Sequence, residues 1–343
     1  MIESFYFKRN KKPRIALTAL LLCALIVLIS GCTSGFLSPV TERQSVFDSD
    51  YIVDISPNVL TDTFETGVKT IYYRINGELL LAPVLVQYSL PVDKSKEEQL
   101  IEALISGPPV DKHELMAAIP ADTQLVSLQS RDGYLEITLS NEFLSVGEDV
   151  PANWESNPVW SKEVMDRRRM ATYSIINSIT ELGEYSRVLI LIDVNGDGNG
   201  QRVNRSQFGL PSGEEDAPIE PLRRDPTLIL SPQRACEKVL DAIITQRIDS
   251  VMQFIYFGDE GVPSAQAVAE VLYSPGLSSY DLSAYGDAIV RLDGQQAVLS
   301  VDFISASYGT GNRSEHYAYP LVARLVDNIW RIEYNSLKEM MED

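Results

Sequence analysis

Apolar residues fill positions 15–29 with Thr18 as the single interruption, and no later stretch of the chain is as long. Lys8, Arg9, Lys11, Lys12 and Arg14 stand just before it, so a positive segment leads into an apolar one, the layout of a secretory signal. The run falls short of the roughly 20 residues that a membrane-spanning helix needs. Residues 33–57 then mix Ser, Pro, Asp and Thr with no sustained period, as a tether does.

Periodic patterns begin after the tether. Residues 69–75 and 78–89 are rich in Val, Ile, Leu and Tyr and flank Asn76-Gly77, which predicts a hairpin. Ser95 is placed to cap a helix whose apolar face is Leu100, Ile101, Leu104 and Ile105, closed by Gly107-Pro108. A second hairpin is predicted for 124–129 and 134–139 around Asp132-Gly133. A long helix over 162–182 follows, with Ala171, Ile175, Ile179 and Leu182 on one face, and then a buried strand at 188–193. This order of strands and helices implies helices on one face of a sheet.

Residues 210–226 hold four prolines among many charges and are expected to be a linker between domains. Beyond it the pattern predicts a helix over 231–249 and shorter helical stretches at 251–257 and 265–273. Strands are expected at 287–292, 297–308, 316–326 and 329–334, with turns at Asp293-Gly294 and Asp327-Asn328. Taken together the class is α+β: a mixed module over 58–209, then helices on a curved antiparallel sheet over 227–343.

Charge narrows the choice of partners. The formal charge is −19, and removal of residues 1–31 takes away five basic residues and Glu3, which drives it towards −23. Nucleic acid is thereby disfavoured through like-charge repulsion. Of three cysteines, Cys23 lies in the signal and Cys32 just after it, while Cys236 sits among Ala235, Val239 and Leu240 as a packing residue. With only His113 and His316 as imidazoles, no nucleophile–base pair or zinc set stands out.

Three resemblances add to this reading. Leu28-Ile29-Ser30-Gly31-Cys32 resembles the lipobox of bacterial lipoproteins. That implies cleavage after Gly31, a lipid on Cys32 and residence at the outer face of the cell membrane, with the tether starting at residue 32. Leu104-Ile105-Ser106-Gly107-Pro108, Ile119-Pro120, Thr123, Leu125, Ser127, Asp132-Gly133, Leu139-Ser140 and Phe143 resemble the GerMN domain of spore germination proteins. Tyr72-Tyr73 and the helix over 171–182 extend the likeness, while residues 145–160, with Trp154 and Trp160, are longer than the usual pattern. It implies a noncatalytic envelope module of sporulation or germination, with peptidoglycan or an envelope protein as partner. The closing Asn328-Ile329-Trp330-Arg331-Ile332-Glu333-Tyr334 resembles the last strand of NTF2-like domains.

Two groups of residues remain as candidate sites, and neither is catalytic. Asp193, Asn195 and Asp197, with Gly198, match the first half of a calcium loop, whose second half is missing because Asn204 stands where a bidentate Glu belongs. Any calcium would be held weakly, and no other cofactor is implied. Asp302, Arg324 and Arg331 are expected to form a polar cluster on the curved sheet, as a ligand site of an NTF2-like cone. The expected function is a noncatalytic binding or assembly lipoprotein; the alternatives are a peptidoglycan hydrolase and a small-molecule sensor.

Overall fold

The computed structural model describes residues 65–90, 94–211, 216–258, 261–274, 276–306 and 313–342. The signal at 1–31, Cys32 and the tether at 32–57 lie outside the described residues.

β1 (Glu65–Ile75) and β2 (Leu81–Leu90) form the first antiparallel hairpin, turning where Gly77 takes a φ of 74°. Ile71, Tyr73, Ile75, Ala82 and Val84 alternate inwards and are buried. α1 (Lys96–Ser106) starts where Ser95 accepts the Glu98 N–H at 3.1 Å, and it buries Leu100, Ile101 and Leu104. A short β3 (Leu115–Met116) pairs with the end of β1. β4 (Leu125–Arg131) and β5 (Tyr134–Ser140) make the second hairpin. β6 (Arg187–Asp193) lies parallel to β5. Parallel neighbours need a crossover. That crossover is α2 (Pro158–Glu181), capped by Asn157, whose side chain accepts the Val159 N–H at 3.0 Å.

The α+β class stands, but the first six strands form two sheets, β2-β1-β3 and β4-β5-β6, instead of one. The reason lies on α2. Ser174 Oγ donates to the Tyr72 carbonyl at 2.6 Å, and Ser178 Oγ accepts the Tyr72 N–H at 2.9 Å. A helix therefore satisfies the strand edge where another strand would otherwise pair.

The segment entered in the sequence as a linker is packed where it is described. Ile219 is fully buried, Leu222 exchanges two backbone hydrogen bonds with Val188 at 2.8 and 2.9 Å, and the Asn177 amide clamps the backbone of Asp225 at 3.0 and 3.2 Å. Leu230 N–H then bonds to the Leu81 carbonyl at 2.8 Å. One core cluster runs from Ile71 through Ile219 to Met341.

The C-terminal part opens with α3 (Pro232–Ile244), capped by Ser231. The helix expected over 231–249 breaks at Gln246, whose φ is 54°. There the Arg247 N–H reaches back to the Ala242 carbonyl at 2.8 Å and the Gln246 N–H to Ile243 at 3.1 Å, closing the helix end. α4 (Ile248–Gln253) follows, and then β7 (Ile255–Tyr256) and α5 (Ala265–Tyr273). The remaining strands are β8 (Leu277–Asp281), β9 (Ile289–Val290), β10 (Gln296–Ala306), β11 (Arg313–Val326) and β12 (Ile329–Glu333), and the fold closes with α6 (Tyr334–Glu342). The sheet order is β7-β12-β11-β10-β8, with β9 also on β10. The turn between β11 and β12 uses Asp327 and Asn328 at φ of 52° and 71°, the pair of positive values that a tight hairpin requires. β8 carries too few apolar positions to announce itself, whereas α6 has Leu337, Met340 and Met341 at i, i+3 and i+4 and buries all three.

Candidate functional site

A cavity of about 550 Å³ opens in the N-terminal module between α2, the end of β1, the loop after β3 and the loop after β5. Its floor is apolar, with Ile119, Phe143, Val150, Val164 and Ala171. Its charged rim comes mainly from α2, which presents Glu163, Val164, Arg167, Arg168 and Ala171 on one side at helical spacing. Arg74 joins them from β1 and Asp149 from the loop after β5.

The three arginines are not equivalent. Arg167 holds Asp149 in a bidentate fork, Nη1–Oδ1 2.9 Å and Nη2–Oδ2 2.6 Å, while its Nε meets Glu163 Oε1 at 2.9 Å. These hydrogen bonds raise the Arg167 pKa and hold the Asp149 carboxyl below its ordinary value. Gly147 lies against the fork: a Cβ there would stand 2.4 Å from Asp149 Oδ1 and 3.2 Å from Arg167 Nη1. Among the described residues, ion pairs at the cavity belong to Arg167 alone. Arg168 donates to the Leu144 carbonyl and stands 5.6 Å over the Trp154 ring, while its buried Nε has no hydrogen-bond partner. Arg74 gives its Nε to the Glu78 carbonyl at 3.0 Å. Burial is the largest influence on both Arg74 and Arg168 and pulls their pKa down, against carboxylates that act the other way, Glu163, Asp166 and Glu78 on Arg74 and Glu155 on Arg168.

The residues singled out in the sequence lie elsewhere. Cys32 is outside the described residues. Asp193 is 6% exposed, and its two carboxylate oxygens accept the backbone N–H groups of Asp197 at 3.1 Å and Gly198 at 2.8 Å. Asp197 in turn accepts the Asn199 N–H at 3.0 Å, and Asn195 is exposed in the same turn. No group of three His, Cys, Asp or Glu side chains gathers for a metal among the described residues.

The cluster expected from Asp302, Arg324 and Arg331 does not form. Arg324 and Arg331 are register partners, but Arg324 pairs with Glu333, and Arg331 reaches out of the sheet to Glu114 of the first module. Asp302 lies six positions along β10 from Gln296, the residue opposite Arg324, about 20 Å away at strand rise. Its carboxylate accepts the Ala318 N–H at 2.8 Å, in a bulge where Ala318 has a φ of 52°. That bulge also breaks strict alternation in β11. His316 and Tyr319 both pack on Phe303, His316 stacked at 4.4 Å and Tyr319 edge-on at 5.8 Å, while Tyr317 turns out to solvent. Cys236 is fully buried, and burial pushes its thiol pKa far up, which fits a packing residue.

Arg74, Arg167 and Arg168 were not anticipated as a site. One sequence signal was available: Arg167-Arg168-Arg169 is a run of three basic residues within a strongly acidic chain.

Fold and site together define an α+β module built around a cavity with an apolar floor and an arginine-bearing rim. Residues 70–196 match the family model Germane, described as sporulation and spore germination, and this part of the chain is a GerMN-like domain. Among solved structures, the chain is similar to the tandem GerMN domains of the sporulation protein GerM from Bacillus subtilis. Identity there is 16% over 47% of this chain and 45% of that one, with a TM-score of 0.29. It thus spans under half of that structure. It is also similar to a putative lipoprotein from Clostridium perfringens, at 21% identity over 38% of this chain and 75% of that one, with a TM-score of 0.23. For the first GerMN domain of GerM alone, identity is 20% over 37% of this chain and 83% of that one, with a TM-score of 0.23. No curated protein matches the chain.

Proposed function

We propose that the chain is a lipid-tethered, noncatalytic binding component of sporulation or spore germination, acting at the outer face of the membrane through the cavity of its GerMN-like domain. The observation that carries this reading is the Germane match over residues 70–196, the part of the chain that encloses the cavity. Anchoring through Cys32 rests on its lipobox-like setting after an apolar run. The partner is an envelope protein or peptidoglycan, and the C-terminal part serves as an NTF2-like support docked on the first module. Ion pairs Lys238–Glu78 at 2.6 Å and Arg331–Glu114, with the Gln253–Asn76 hydrogen bond at 3.0 Å, favour such docking.

The test is deletion of the gene in its host, scoring heat-resistant spores and their germination. A defect restored by the intact chain, and not by Cys32→Ser, is expected. Normal sporulation and germination in the deletion strain would refute the role. Release of muropeptides from purified cell wall would replace binding with hydrolysis.

A further inference from the structure

Guanidinium groups outnumber carboxylates on the lining of the cavity. Arg74, Arg167 and Arg168 face Asp149 and Glu163, and both carboxylates are bonded to Arg167. The lining thus holds three guanidiniums against two carboxylates in a chain whose net charge is −19, while Glu78, Asp166 and Glu155 act on Arg74 and Arg168 from outside it. Among the described residues neither Arg74 nor Arg168 makes an ion pair, and each gives one N–H to a backbone carbonyl, that of Glu78 and that of Leu144. Below that rim the floor is apolar, and about 550 Å³ lies within the range of small-ligand sites.

We propose that the cavity binds a carboxylate attached to an apolar body, the carboxylate meeting Arg168 and Arg74 and the body lying on Phe143, Ile119, Val150 and Val164. This deepens the binding role proposed above and rests on it. A guanidinium fork matches the planar carboxylate group. Two carboxylates on the same rim would repel a dianion, so a single negative charge fits better than a phosphate monoester. Both a free fatty acid and the C-terminus of a peptide ending in an apolar residue have this chemistry.

Calorimetric titration of the full chain separates the sources and tests the idea. One arm uses decanoate and decanamide, the other N-acetyl-Ala-Leu and its C-terminal amide. Saturable binding of at least one acid is expected, with its amide about 10-fold or more weaker, since a charge-assisted pair is lost. Arg168→Gln and Arg74→Gln should each weaken the acid by about 10-fold and leave the amide unchanged. Arg169→Gln, which alters the neighbouring residue paired with Asp225 outside the cavity, should bind like the unaltered chain. Circular dichroism checks that the variants fold; should Arg168→Gln unfold, Arg74→Gln carries the test. Binding by decanoate alone assigns a free amphiphile, and binding by the peptide alone assigns a chain end. Equal affinity for acid and amide, undiminished binding by both folded variants, or saturation by neither acid would overturn the proposal. A deletion strain that sporulates normally would instead remove the biological role while leaving carboxylate binding intact.

Discussion

Ser178→Ala probes the contact that divides the first six strands into two sheets. Tyr72 is 3% exposed, and its backbone N–H has Ser178 Oγ as its hydrogen-bond acceptor at 2.9 Å. The same hydroxyl donates to the Ser174 carbonyl at 2.7 Å, and Ser174 Oγ closes the circuit on the Tyr72 carbonyl at 2.6 Å. Alanine at 178 leaves a buried donor without an acceptor, which costs roughly 1–3 kcal/mol. Alanine's better helix propensity returns about 0.5 kcal/mol. The net loss should be about 1–2 kcal/mol, read as a lower urea midpoint at unchanged slope. Ser174→Ala should cost less, because it orphans a carbonyl, and carbonyls tolerate incomplete pairing better than N–H groups. Thr180→Ala is the control: its hydroxyl bonds only within the helix, to Ile176 and Asn177, and the change should stay within about 0.5 kcal/mol. Hydrogen exchange at the Tyr72 amide gives the local readout and should accelerate in Ser178→Ala. An unchanged midpoint together with unchanged Tyr72 exchange would refute the view that α2 caps this strand edge.

Three further outcomes are expected. Ala318→Gly should be neutral or stabilising by up to about 1 kcal/mol in thermal or urea melts, because glycine adopts a φ of 52° without the strain alanine bears there. Tyr73 is buried and its hydroxyl pKa is pushed up to about 12 by that burial. Its contribution is therefore complete below the unfolded value near 10 and is lost as pH climbs from about 10 to 12, where the unfolded phenol ionises first. Tyr73→Phe should flatten this part of the stability–pH curve. Asp193→Ala should cost roughly 1–3 kcal/mol by urea denaturation, since the Asp197 and Gly198 N–H groups lose their acceptor; an unchanged midpoint would show that the turn holds without it.

Local patterns made much of the architecture legible. Asn76-Gly77 and Asp132-Gly133 fall at real hairpins, Ser95 caps α1, and the apolar spacing through Ala171 and Ile175 marks the buried side of α2. These features act over one or two turns of chain, and their chemistry is carried by neighbouring residues. The α+β class follows from them, and residues 70–196 carry enough of the GerMN-like spacing to be recognised.

What lay beyond reach depends on partners distant in sequence. Nothing local states that Ser174 and Ser178 will satisfy Tyr72 about a hundred positions earlier, so the split into two sheets could not be read from the strands alone. Strict alternation along β11 fails at Ala318, because Asp302, on a different strand, holds a bulge there. Asp302, Arg324 and Arg331 shared a charge pattern without sharing a place, and Arg331 turned to Glu114 across the modules. The cavity is the same kind of case: Arg74 comes from a strand, Asp149 from a loop, and Arg167 and Arg168 from a helix. Elements arise from neighbours along the chain and were legible in the order of residues. Which edge is capped, which strand bulges and which arginine is left without a carboxylate were decided only when the packed core brought distant segments together.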